Sequence, residues 1–198
     1  MLHVPTGGGF VLVLDLEDSG NADVRETGAS LLEVGGILCR DDTDLTPIDA
    51  ISLLVCPVHP GETWSTMVPV VCEMHTKSGL WVEAVRDGAP VEDIDQRLAA
   101  WLDHRTGGCT DVVLAGSGVS HHDQPWLRAH LPATNTRLRF GTLDAAVIRR
   151  GLQFARRNDL VDLERDLHAK PHRALADAEL HRAELVGYLR MLSRIPAA

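Results

Sequence analysis

The sequence predicts an α/β fold with a mixed five-stranded sheet flanked by helices. Three observations lead there: apolar strand-like runs fill the first third of the chain, the apolar period then changes from that of a strand to that of a helix, and strands and helices alternate from there to the end. Phe10 to Asp15 is a Val- and Leu-rich run between glycines and the turn-forming Asp18-Ser19-Gly20-Asn21, as expected of a buried strand. Leu31 to Cys39 and Ile51 to Val58 are two more, so the sheet is expected to begin with antiparallel pairs.

Between Pro90 and His104, Ile94, Leu98, Trp101 and Leu102 recur at one helical face, with Glu92 and Asp93 in the first turn. Val112 to Ala115 is the fourth strand, and it runs into Gly116-Ser117-Gly118 before a helix near Asp123. Leu138 to Leu143 is the fifth, with Asp144 expected to cap a helix over Ala145 to Phe154. A last helix, from about Arg173 to Ser193, carries Ala174, Ala178, Leu185, Tyr188 and Leu192 on one stripe. The expected order is β-β-β-α-β-α-β-α, without repeats.

At 198 residues, 44% of them hydrophobic, residues 1–198 are expected to form one domain, with 1–9 as a loose N-terminal tail. No secretory signal or membrane-crossing run is read, which points to the cytoplasm and to no membrane partner. Cys39, Cys56, Cys72 and Cys109 are widely spaced, as buried thiols of a reducing compartment would be. Cys56 and His59 form a lone Cys-x-x-His with no second pair at ligand spacing, so no zinc site is expected. A net charge of −9 excludes a broad basic face for nucleic acid, and Lys77 and Lys170 are the only lysines. Bound divalent cations would still place positive charge where a phosphate must sit.

Asp15 and Glu17 end the first strand as Asp-x-Glu, and strand alternation sends both carboxylates to one face. Asp123 follows the fourth strand, and by itself reads as a helix cap. His172 and Asp177 form His-x-x-x-x-Asp at the start of the last helix, where both can face a common cleft.

Asp15-Leu16-Glu17, Asp123, and His172 with Asp177 together resemble the DEDDh exonucleases, in order and near spacing, from about Phe10 to Leu189. The resemblance implies a ribonuclease H-like fold and a 3′→5′ exonuclease acting on single-stranded nucleic acid or short oligonucleotides. It implies that Asp15, Glu17, Asp123 and Asp177 hold two divalent ions, Mg²⁺ or Mn²⁺, and that His172 is the general base. The chemistry is coherent, because phosphodiester hydrolysis by two hard cations about 4 Å apart needs clustered carboxylates. Histidine is the side chain that exchanges a proton near neutral pH. Four carboxylates sharing a cleft without cations would repel one another.

Within that group the segment His75-Thr-Lys-Ser78-Gly79-Leu80 is similar to oligoribonucleases, which implies substrate contacts at Leu16, His75, Ser78, Gly79 and Leu80 and a homodimer. Three of them have a plainer reading, with His75 on a backbone carbonyl, Ser78 in a turn and Leu80 in the core. The chain also departs from that subgroup. Val70 stands where oligoribonucleases carry a stacking Trp, Phe140 and Gly141 where they carry Tyr and Arg, Ala146 where they carry Ser, and Asn21 where they carry Leu. The loop before Asp123 is one residue longer, with His121-His122, and Asp111 is the nearest rival carboxylate. These losses imply looser selection than a dinucleotide-specific oligoribonuclease, which is one alternative; a nuclease-fold binding protein without turnover is another. Trp64 is a candidate substitute for the missing stacking ring.

Overall fold

A computed structural model describes residues 9–20, 24, 28–157 and 172–194. The expected N-terminal tail lies outside the described residues except for Gly9, whose carbonyl accepts from the Asp41 N–H at 3.0 Å. Asn21 lies outside them too.

The five strands are β1 (Phe10–Asp18), β2 (Leu31–Arg40), β3 (Pro47–Leu54), β4 (Val112–Gly116) and β5 (Leu138–Asp144), in the spatial order β3-β2-β1-β4-β5. β1 pairs antiparallel with β2 and β2 with β3, as the closely spaced runs predict, whereas β4 and β5 run parallel to β1. The third strand starts four residues earlier than expected and stops before Val55. As an edge strand with one open side it tolerates Pro47 at its first position and polar residues along its length.

Eight helices are described: α1 (Pro60–Thr66), α2 (Pro69–Ser78), α3 (Leu80–Asp87), α4 (Val91–Thr106), α5 (Asp123–His130), α6 (Pro132–Asn135), α7 (Ala145–Phe154) and α8 (Ala174–Leu192). The first three fill 60–87, a stretch in which the sequence pattern predicts no helix. They are short, and α1 and α2 open on Pro60 and Pro69, whose fixed φ suits a first helical turn.

Strand alternation divides the core. Leu12, Leu14 and Leu16 of β1 face a cluster with Ile94, Leu98 and Leu102 of α4 and Trp126 of α5. Val11 and Val13 face the other way, against Ala145 of α7 and Ala178, Leu185 and Tyr188 of α8. Asp15 and Glu17 continue that second row, so the Asp-x-Glu pair meets α8. Leu192, placed on the buried stripe of α8 by periodicity, is exposed at the helix end. The approach of α8 is close: a Cβ at Gly35 of β2 would stand 2.1 Å from the Leu175 nitrogen, so no side chain is compatible there without moving the helix.

Candidate active site

The site forms at the carboxyl ends of β1 and β4, where the parallel pairing between them stops and the crevice opens. The last β1–β4 pair is Val13 with Ala115, so Leu16 lies past it. Asp123, at the first position of α5, supplies the missing partner: its Oδ1 accepts from the Leu16 N–H at 3.0 Å. The third carboxylate is therefore fastened to the backbone between Asp15 and Glu17. Asp111, the rival, is exposed before the opposite end of β4 and faces Arg139 at 3.7 Å.

From the other side, α8 brings Asp177 in its first turn, and His172 precedes the helix. Glu17, His172 and Asp177 each offer one ligand atom, all within 4.8 Å of one another. Asp15 lies beside them on the same strand face, and its Oδ1 is 3.5 Å from His181 Nδ1. Glu17, Asp123 and Asp177 are only 6%, 4% and 2% exposed. Burial pushes the Asp123 carboxyl up to about 7, opposed by the neighbouring His122 charge and the Leu16 N–H. The Glu17 and Asp177 carboxylates, this close to each other and to His172, fit a hard divalent cation, which would offset their repulsion, whereas Asp123 and Asp15 stand outside that group of three.

The sequence reading missed three members of this neighbourhood. Asp18 follows a register shift after Glu17, and this irregularity turns its carboxylate toward His122, 2.8 Å away. That hydrogen bond raises the His122 imidazole to about 9 and ties the end of β1 to the start of α5. His181 sits one turn beyond Asp177 on the same helix face, a spacing that could have exposed it. Glu33, a lone charge inside an apolar strand run, is buried under the start of α8.

The candidate substrate residues are placed unevenly. His75 is fully buried; its Nε2 donates to the Asp18 carbonyl at 2.8 Å, and Nδ1 lies 4.0 Å from Glu17 Oε2. It therefore stands behind Glu17, and burial lowers its pKa despite the Asp18 contact. The Leu16 and Leu80 side chains belong to the core. Ser78 and Gly79 are half-buried; Gly79 adopts φ +76 to close α2 and open α3, a left-handed geometry that favours glycine. Trp64 packs against Trp81 with ring centroids 4.9 Å apart, and Val70 is exposed. Phe140, at the former Tyr position, is 96% exposed.

Asp144 caps α7 as expected, accepting from the Ala146 and Val147 N–H groups. It also accepts from the Gly118 and Ser120 N–H groups and the Ser120 hydroxyl, and so holds the loop that delivers Asp123. Burial raises its pKa, but the Ser120 hydroxyl and these N–H groups more than offset that, so the net shift is downward. Its stabilising effect is thus complete above the unfolded value of 3.8 and is lost as pH falls through the lower folded value. An Asp144→Ala variant should lose about 2–3 kcal/mol at pH 7 by urea unfolding. The difference from the parent should shrink as the pH falls below 3.8.

No family model matches the sequence. The chain is 26% identical over 183 residues to an oligoribonuclease of Nocardia farcinica (strain IFM 10152), covering 91% of this chain and 80% of that protein. The nuclease domain of 3′hExo, a DEDDh family member solved bound to rAMP, superposes with a TM-score of 0.56, covering 93% of this chain and 92% of that one at 16% identity. The chain is similar to an oligoribonuclease over most of its length and shares the fold of a DEDDh nuclease domain. Two further structures agree on the fold. Cell-death related nuclease 4 gives a TM-score of 0.57 over 93% of this chain and 64% of that one, at 12% identity. A full-length 3′-exonuclease gives 0.56 over 95% and 83%, at 16% identity. The mixed five-stranded sheet flanked by helices expected from the sequence is the one observed, and the likeness to oligoribonuclease, with the fold shared by 3′hExo and the 3′-exonuclease, supports a 3′→5′ exonuclease, a phosphodiester hydrolase. Among the described residues no helix is long and apolar enough to cross a membrane.

Proposed function

We propose that residues 1–198 form a single exonuclease domain that removes nucleotides from the 3′ end of single-stranded nucleic acid. Asp15, Glu17, Asp123 and Asp177 hold two divalent cations, Mg²⁺ or Mn²⁺, and His172 is the general base. The observation that carries this reading is the meeting of Glu17, His172 and Asp177 within 4.8 Å from opposite ends of the chain. When bound, the cations neutralise phosphate charge and favour ionisation of the attacking water. His172, half-buried at the cleft edge, accepts a proton from that water. Asp123 keeps the Asp15–Glu17 backbone in place through the Leu16 N–H.

The 3′-terminal nucleotide is proposed to lie against Leu16, His75, Ser78, Gly79 and Leu80. Ser78 and Gly79 are half-buried and have surface to offer it, while Leu16, His75 and Leu80 are buried and would act only by holding that surface in place. The rAMP in the 3′hExo structure supports a nucleotide ligand for this crevice. Val70, Gly141 and Ala146 lack the groups that would enclose a dinucleotide, which favours longer strands. A cytoplasmic location, favoured by four free cysteines, and the homodimer implied by the likeness complete the proposal.

Single-stranded RNA and DNA ten-mers, labelled at the 5′ end, should shorten one nucleotide at a time with Mn²⁺ or Mg²⁺ and stay intact with EDTA. Ten-mers should be cleaved with a higher kcat/KM than dinucleotides. Preference for the dinucleotide would favour the oligoribonuclease alternative, and no cleavage with either metal would favour the silent one.

A further inference from the structure

We infer that Arg173 is a positioning residue for the proposed base, clamped between Glu33 of β2 and Glu83 of α3 so that His172 is aimed at Glu17 and Asp177. The inference rests on the exonuclease reading above.

The first residues of a helix leave N–H groups without partners, and a capping side chain ordinarily serves them. The cap residue of α8 is Arg173, and its side chain makes no such bond. Glu33, 140 residues earlier, takes the role: its Oε2 accepts from the Ala174 N–H at 2.9 Å. Arg173 returns to the same carboxylate with two prongs, Nε to Oε2 and Nη2 to Oε1, each 3.1 Å. Ser52 Oγ donates to Oε1, also at 3.1 Å. Glu33 is 1% exposed, and a carboxylate so deeply buried is stable only when charge and hydrogen bonds are satisfied together. A planar guanidinium meets that demand bidentately, which an ammonium cannot.

Two features direct this clamp at His172. His172 holds φ +51, a left-handed conformation that a residue with a Cβ keeps only when its neighbours impose it. The φ and ψ of His172 set the direction of its Cα–Cβ bond relative to the flanking chain, so a change in how that chain is held redirects the imidazole. The neighbour that follows is Arg173, fixed on Glu33 and, through Nη2, 2.9 Å from Glu83 Oε2. Glu83 lies in the first turn of α3, immediately after Gly79, so one guanidinium links the proposed substrate segment to the base. Arg173 touches no reacting atom in this account. It acts through the conformation of His172.

The test uses the full chain. In metal-free protein, Arg173→Ala should shift and broaden the ¹⁵N ring resonances of His172 while those of the buried His75 stay in place. With Mn²⁺ and a labelled ten-mer, kcat should fall about 10–100-fold with KM changed less than about twofold. Arg173→Lys should recover only part of this, because it lacks the second prong. A kcat within about twofold of the parent, or unchanged His172 ring shifts, overturns the inference. Should Arg173→Ala fail to fold, Arg173→Lys decides by the same two readouts. A parallel His172→Ala separates the levels: if it is inactive while Arg173→Ala keeps full kcat, only this inference falls, whereas full activity in His172→Ala removes the base assignment and the inference together.

Discussion

A Glu17→Gln variant is expected to lose about 10³-fold or more in turnover of a labelled ten-mer while keeping its fold. Glu17 is the carboxylate that shares its surroundings with both His172 and Asp177, and the substitution would replace a central anionic ligand by a weakly binding neutral amide oxygen. Losing about 4 kcal/mol of transition-state stabilisation corresponds to that factor. Stability should move the opposite way. In metal-free protein the buried carboxylates repel, and the introduced amide can also donate toward His75 Nδ1, 4.0 Å from the present Glu17 oxygen. The metal-free Tm should therefore equal the parent's or exceed it by about 2–4 °C. The parent should gain about 2.7 kcal/mol when Mn²⁺ reaches a hundred times its Kd, and the variant should lose most of that gain. Calorimetry with and without Mn²⁺ reads both effects, and a normal Mn²⁺ response with normal turnover would remove Glu17 from the ligand set.

His172→Ala is expected to lower kcat about 10²–10⁴-fold, the usual worth of a positioned general base. Its Mn²⁺-induced rise in Tm should persist, which separates it from Glu17→Gln. The distinction matters because His172 offers a ring nitrogen within 4.8 Å of both carboxylates and could in principle ligate. A Tm response lost as fully as in Glu17→Gln would make the imidazole a ligand in place of a base.

Some of this site was legible in the sequence because its rules are local. Alternation alone put Asp15 and Glu17 on one face, and the structure places that face against α8. The five-residue spacing of His172 and Asp177 predicted a shared cleft, and their ligand atoms do approach. The three helices over 60–87 were obscured because none is long enough to show a sustained period, and Val68, Val70 and Val71 are as common in strands. Contacts between distant residues were beyond any local rule. The Asp123–Leu16 bond spans 107 residues and the Arg173–Glu33 clamp 140. Glu33 nonetheless left a trace, since an acidic residue in the middle of Leu-Leu-Glu-Val-Gly-Gly-Ile-Leu-Cys requires a buried partner. Asp18 left none, because a strand irregularity decides where its side chain goes.

The central claim is that Asp15, Glu17, Asp123 and Asp177 jointly hold divalent cations beside His172. Crystals of the full chain soaked in Mn²⁺ and measured for anomalous scattering test it most directly. Strong peaks are expected within coordination distance of Glu17 and Asp177, shared with Asp15 and Asp123, and not at the exposed acidic residues elsewhere. A saturated crystal with no peak among these carboxylates would contradict it.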